Sequence, residues 1–433
     1  AAAPPQVEDV MELLVPGNGC DLEEGTPVTA EVVYVGQSVA FLWDQANPAP
    51  GFTDAEYAAF DDFLTGTTLA VLTDHFGDFS DVDDNDRVLV LLTQEVNKRE
   101  NLAGFVFSGD LAPLVGATCP GANDAEIFYG LAPDPDGVAN PERQITKAAL
   151  QLLYPPLIAH ELTHVLQFVS AFSEGGIFRE KGVFKSSWEL EGGATLAEQL
   201  VGYEVFGEGP RLDLGYTSWR QGANDDEVPN WYVDWVVDMA VYFGFNGEDP
   251  PLDAAPEECS WVGRESEGNE GPCETGRAVY GVPSTLIRWI MDRYGDDAAD
   301  DRALVRRITS SPFRGFATLE DVTGEEILDL LVPFAVTLWA DGNPALPESE
   351  RDWLSSWNVY DVFSSINPDA RLRPYVRDGV SEPQLDVNVR AASSAYLEWT
   401  PPMDHDPTSL RIRAPTDGGP LPGHMVLWVL RVR

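Results

Sequence analysis

Positive charge is what this chain lacks most. It carries 27 Lys and Arg, only four of them Lys, against 72 Asp and Glu, for a formal net charge of -45 at pH 7. A field of that sign repels nucleic acid and anionic membrane surfaces, which removes both as expected partners, and it favours cationic substrates and divalent cations. A salt-adapted surface and a general acidic bias of secreted proteins each account for it. Long uncharged apolar runs are also missing: none approaches the ~20 residues of a membrane span. The first residues, AAAPPQVEDV, hold neither an initiator Met nor an apolar signal core, which reads as a mature form without its targeting segment. Cysteine is scarce. Cys20, Cys119, Cys259 and Cys273 form no C-x-x-C pair and no zinc-finger spacing. An even count in a chain of secreted character predicts two disulfides. Cys259 with Cys273 would close a Gly- and Glu-rich loop, leaving Cys20 with Cys119, although the count alone leaves other connectivities open.

A chain of 433 residues is long enough for two or three domains, and no solenoid repeat or low-complexity tract interrupts it. Residues 1–47 read as β-rich, with alternating or β-branched runs at Val28 to Val35 and Ser38 to Trp43. From Thr53, a plausible N-cap, the pattern turns helical, and RVLVLLT at 87–93 reads as a buried strand. Two aromatic strands follow, around Phe105 to Phe107 and Ile127 to Tyr129, then a helix from about Pro141 to Leu153. Residues 208–276 look irregular, acidic and Trp-rich, an insertion that would shape a cleft. Helices resume before GNPALPESE, which marks a boundary near residue 345. The remainder, 346–433, alternates like a small β-domain.

What is present is more telling. His160-Glu161-Leu162-Thr163-His164 lies inside the apolar stretch PPLIAHELTHVLQF. This is H-E-x-x-H, and a helix puts its two imidazoles on one face, one turn apart, where both reach a single metal ion. Glu161 projects beside that face, close enough to take a proton from water there. Pro155 and Pro156 suit the start of this helix. Two histidines leave tetrahedral zinc short of a protein ligand, with one further position for water. The metzincin extension would place Gly at 167 and His at 170, where this chain has Gln167 and Ser170. His75, His405 and His424 are remote in sequence, so a carboxylate is the expected third ligand. The best source is the segment Trp188 to Glu198, with Glu189, Glu191 and Glu198 as candidates; Glu174 and Glu180 rank lower, in a Gly-containing loop. Small residues after Glu191 would let a second helix approach the first.

The pattern W-x-x-E-G-x-A-x-x-x-E, read from Trp188 to Glu198, resembles the glutamate-zincin signature familiar from the aminopeptidase N family. That resemblance implies that Glu191 is the third zinc ligand. FGDFSDVDDNDRVLVLLTQEVN, AGFVFSGDL and NDAEIFYGLAPDP, all upstream of H-E-x-x-H, are similar to the hyicolysin family of secreted neutral zinc metallopeptidases, over about Thr53 to Asp341. The family implies an α+β fold: a zincin-type domain at 48–345, with a mixed sheet, an active-site helix and then a helical subdomain, flanked by the β-rich ends. It also implies that Glu126, Ile127, Phe128 and Tyr129 form the sheet edge bordering a substrate cleft, where an extended peptide could add as a strand. The segment YGVPSTLIR is similar to the Tyr-bearing helix start of aminopeptidase N relatives, which implies that the Tyr280 hydroxyl serves the reacting carbonyl.

Asp81, Asp83 and Asn85 alternate in a loop resembling a calcium site, although Asp86 stands at the usual Gly position. A turn that merely tolerates such residues accounts equally for the pattern. The expectation is thus a secreted zinc endopeptidase acting on protein or peptide, with one catalytic Zn2+ and possible Ca2+, Glu161 being the general base. The alternatives are a non-catalytic binding protein that kept the fold, and a zinc hydrolase specialised for glycoproteins.

Overall fold

The computed structural model describes residues 4–17, 19–100, 102–173, 185–223, 229–245, 256–263, 277–368, 370–378, 389–400 and 425–430. The fold is mixed α+β. Six strands form one sheet: β1 (Val10–Val15), β2 (Thr26–Val35), β3 (Val39–Asp44), β4 (Val88–Leu92), β5 (Gly104–Val106) and β6 (Ile127–Gly130), in the order β1-β2-β3-β4-β6-β5. The β3-β4 and β4-β6 pairs are parallel and the others antiparallel. β4 is VLVLL with every residue buried, as a central parallel strand covered on both faces requires. The β-rich 1–47 segment does not stand apart, because β3 hydrogen-bonds directly to β4.

Twelve helices are seen among the described residues. α1 (Asp54–Phe63), α2 (Leu69–Phe76), α3 (Gln94–Asn97) and α4 (Lys147–Ser173) lie among or beyond the strands. They are followed by α5 (Ser187–Phe206), α6 (Tyr216–Ala223), α7 (Val233–Tyr242), α8 (Ala278–Tyr294), α9 (Ala298–Ser310), α10 (Phe316–Thr323), α11 (Ile327–Ala340) and α12 (Val359–Ile366). α1 begins where expected: Thr53 and Glu56 form a reciprocal capping box. Phe41 of β3, Tyr57 and Phe60 of α1, and Tyr154 of α4 then form one aromatic cluster that binds helices to sheet.

α4 departs from expectation. Instead of one helix ending near Leu153 and another starting at the prolines, a single 27-residue helix runs through Pro155 and Pro156. Each proline removes a helical hydrogen bond, at a cost of ~3 kcal/mol in a helix interior. Leu150, Tyr154, Ile158, Leu162 and Leu166 are buried along one continuous stripe across the interruption. Each fully buried side chain of this kind contributes roughly 1.5–3 kcal/mol. The Tyr154 hydroxyl also donates to the Leu131 carbonyl. Tertiary burial therefore outweighs the local break.

The 208–276 segment is not irregular throughout: it contributes α6 and α7, and Trp231, Trp235 and Trp261 are fully buried. Trp235 packs on Trp357, which comes from beyond the expected boundary near residue 345, so the described part of 346–433 begins within the helical core. Only β7 (Tyr375–Asp378) and β8 (Leu397–Thr400), a short parallel pair, represent the expected β-domain among the described residues. Cys20 and Cys119 form a disulfide, which joins the β1–β2 connection to the β5–β6 connection. The expected Cys259–Cys273 pair involves Cys273, which lies outside the described residues.

Two buried carboxylates make stability depend on pH. Burial pushes Asp110 up to about 7 even though Asn123 N–H and the Tyr129 hydroxyl donate to it. Burial likewise pushes Asp341 up to about 7 against three backbone N–H donors, from Val359, Trp353 and Leu354. A carboxyl whose folded pKa exceeds its unfolded value, ~3.9 for Asp, binds its proton more tightly in the folded state. The resulting stabilisation is complete below the unfolded value and is lost as pH rises through 7. The urea midpoint should accordingly be higher at pH 5.5 than at pH 8.5, and Asp110→Asn should narrow the difference while Asp341 still contributes. A midpoint that climbs over this range would contradict the assignment.

Candidate metal centre

α4 and α5 supply the centre, and α8 packs against α5. Two glycines permit this approach. A Cβ on Gly192 would lie 2.4 Å from Cβ of Pro283 in α8, and one on Gly193 would lie 2.6 Å from Nε2 of Gln167 in α4. Ser186 is the N-cap of α5, and its backbone N–H and hydroxyl both donate to the Glu189 carboxylate, at 2.8 and 2.6 Å. Glu189 further accepts from Gly315 N–H and the Thr318 hydroxyl, so it is committed to capping and to tying α5 to α10.

That leaves Glu191 and Glu198, two helical turns apart on one face. Glu191 Oε2 stands 3.3 Å from His160 Nε2 and 3.4 Å from His164 Nε2. The two imidazoles meet edge to face, with centroids 5.0 Å apart. His160, His164 and Glu191 thus form a group that could hold a metal ion, all three side chains being 10–12 % exposed. Glu198 Oε1 lies 2.7 Å from His160 Nδ1, on the far side of the ring from Glu191. His164 Nδ1 faces Gln167 Oε1 at 2.9 Å.

The electrostatics follow this arrangement. Burial opposes ionisation of Glu191, yet His164 and His160 hold its carboxyl well below the usual range. His160 is held well above its ordinary range: burial works against the imidazolium, but the bonds to Glu191 and Glu198 prevail. Glu198 is pushed up to about 8, chiefly by burial, with Asp234 and Asp238 adding to the effect. Glu161 is raised by burial, while both imidazoles and the nearby backbone N–H of Val106 act in the opposite direction.

That last neighbour identifies the strand over the site. β6, expected to be the sheet edge at Glu126 to Tyr129, lies between β4 and β5 instead, with Ile127, Phe128 and Tyr129 buried. The edge is β5, which carries Val106. Its brevity explains the error: three residues give too short an alternation to weigh against the longer apolar run of β6.

The chain matches no protein-family model and no curated protein. Function must therefore be argued from the site.

Tyr280, in the first turn of α8, lies near-parallel to His160, with ring centroids 6.1 Å apart. α8 thereby brings the third expected element to the same place. The outer nitrogen of a histidine ligand calls for a partner, commonly a carboxylate; His160 has one in Glu198, whereas His164 has the amide of Gln167. Glu198 was visible as the last residue of the Trp188–Glu198 pattern; Gln167 stood out only as the residue that breaks the metzincin spacing.

The Asp81 loop also differs from expectation. The residues that converge are Asp81, Asp83 and Glu126. Asn85 is turned into the loop instead: its Oδ1 accepts Arg87 N–H and its Nδ2 donates to Asp83. Glu126 precedes β6 and reaches back to accept from the Ser80 hydroxyl and Val82 N–H. Burial, followed by the Glu126 charge, pushes Asp83 up to about 6.

Proposed function

We propose that this chain is a secreted zinc-dependent endopeptidase of the glutamate-zincin kind. The observation carrying the reading is the triangle of His160 Nε2, His164 Nε2 and Glu191 Oε2 beside Glu161. Ligands placed tetrahedrally at ~2.0–2.1 Å from zinc stand ~3.3–3.4 Å from one another. The two imidazole–carboxylate separations are 3.3 and 3.4 Å, longer than the ~2.7–2.9 Å of a charge-assisted hydrogen bond. Two neutral imidazoles and one carboxylate are also the donor set that suits catalytic zinc, leaving a position for water. Bound there, zinc would lower the pKa of that water to roughly 7 and polarise a carbonyl.

The chain's own residues supply the remaining chemistry. Glu161, raised by burial yet flanked by the metal ligands, is placed to take the water proton and return it to the leaving amine. β5 has no outer strand partner among the described residues and is antiparallel to β6, so its free edge suits an extended peptide added as a strand. Tyr280 is a candidate donor to the carbonyl oxygen as it gains charge. The Cys20–Cys119 disulfide is compatible with secretion, and no described helix is both long and apolar enough to cross a membrane. Ca2+ is the hard cation that three oxygen donors at Asp81, Asp83 and Glu126 would suit.

Elemental analysis of protein purified without chelator, paired with a peptide-library digest, tests the proposal. One zinc per chain and internal peptide cleavage are expected. Glu191→Ala should weaken zinc binding, whereas Glu189→Ala should leave it in place and lower stability through the lost α5 cap. Wild-type zinc affinity in the Glu191 variant would remove the ligand assignment.

A further inference from the structure

An imidazole offers a metal only its unprotonated nitrogen, so the tautomer of a histidine ligand matters as much as its position. His164 turns Nε2 toward Glu191, and its Nδ1 lies 2.9 Å from the side-chain oxygen of Gln167, one turn along α4. The other end of that amide settles which atom is which. Gln167 Nε2 donates to the Leu190 carbonyl at 3.0 Å, and Leu190 immediately precedes the ligand Glu191. A carbonyl can only accept, so the amide presents its NH2 to Leu190 and its oxygen to His164. An amide oxygen can also only accept. His164 Nδ1 must then carry the proton, and the Nε2 lone pair is left facing Glu191.

One neutral, buried side chain therefore links the tautomer of one ligand to the backbone beside another. Gly193 makes this possible, since a Cβ there would stand 2.6 Å from the Gln167 amide nitrogen, while the next nearest atom outside Gln167 is Phe76 at 3.7 Å. Charge explains why an amide suits this position. Glu161, Glu191 and Glu198 already crowd the centre, and Glu198 orients His160. Another carboxylate would add a further charge to desolvate, whereas an amide gives the same acceptor without one.

We propose that Gln167 is a positioning residue of the metal centre: it holds His164 in the Nδ1–H tautomer and aligns it with Glu191, seated in the space left by Gly193. The proposal rests on the metal-centre reading above. Partners of this kind set ligand orientation and basicity, and their loss typically lowers metal affinity about 10–100-fold.

The test is zinc affinity of the full chain, stripped of metal and titrated against a competing chelator, with the urea midpoint measured in parallel. Gln167→Met keeps the volume and removes both hydrogen bonds; affinity should fall by about tenfold or more, beyond any change in folding. Gln167→Glu keeps an acceptor for Nδ1–H and should recover part of that loss, the added charge and the lost bond to the Leu190 carbonyl accounting for the rest. Gly193→Ala should weaken zinc binding in the wild-type background but add nothing in Gln167→Ala, because its methyl group displaces only the Gln167 amide. Affinity within about twofold of wild type in Gln167→Met would overturn the proposal, as would a Gln167→Glu protein as weak as the Met variant. If Gln167→Met does not fold, the Glu and Gly193 variants decide. A wild-type chain that binds no zinc would instead bring down the metal-centre reading itself, and the role of Gln167 with it.

Discussion

Glu161→Gln should retain zinc and lose peptidase activity by about 100- to 10,000-fold in kcat, the usual contribution of a positioned general base. The separation follows from geometry. The three candidate ligands are His160, His164 and Glu191, and none is altered by the substitution. Gln has the same shape as Glu and keeps a carbonyl oxygen as acceptor, so the side chain can keep its place. What disappears is the ability to take a proton from water and hand it to the leaving amine. Burial raises the Glu161 pKa in the folded chain, which means that the ionised group is held there at a cost. The Gln variant should therefore be at least as stable as wild type near neutral pH. Steady-state cleavage of a library-derived peptide, alongside zinc content and a denaturation curve, gives all three readouts. Unchanged kcat with zinc in place would remove Glu161 from the chemistry and favour a centre that binds without cutting.

Arg288→Ala should cost about 3–5 kcal/mol of stability, the range for breaking a buried ion pair by removing one partner. Arg288 lies in α8 with 1 % of its side chain exposed and pairs with Asp292 at 2.7 Å and Asp301 at 2.9 Å, which are themselves 4 % and 2 % exposed. Asp301 also holds Arg211, and Asp292 accepts both the backbone N–H and the hydroxyl of Ser356. The network thus joins α8, α9, the connection before α6 and the chain near Trp357. Without Arg288, Asp292 would keep its hydroxyl and amide donors but lose its only ion-pair partner among the described residues, in a place with little access to water. The double variant Arg288→Met, Asp292→Asn removes the stranded charge together with its partner and should recover part of the loss. Urea unfolding measures both. A cost below about 1 kcal/mol for Arg288→Ala would mean that the carboxylates find other partners or protonate without penalty.

Several features were legible in the residues alone because their causes are local. The paired faces of His160 and His164 need only helical periodicity. Thr53 and Glu56 cap α1 with atoms three residues apart, and the unbroken apolar run of β4 announces a strand covered on both sides. The acidity, too, is composition and nothing more. Local pattern could also narrow the third ligand to the Trp188–Glu198 segment. It could not give Glu189, Glu191 and Glu198 their separate duties, because these depend on what α4 and α10 bring to each carboxylate. The same limit hid the edge strand: β5 and β6 look alike as short aromatic runs, and only their pairing with each other and with β4 decides which one is left open. At Pro155 and Pro156 the local rule was overruled by a buried stripe that continues past them. Gln167 and Glu126 owe their roles to atoms 23 and 44–46 residues away. The helix that carries His160 and His164, the glutamate beside them, the central strand and the charge are legible in the residues alone, since each arises within a few consecutive positions. The order of strands and the partners of each glutamate and histidine come from the tertiary structure, because these are set by packing between segments whose separation along the chain says nothing about their distance in space.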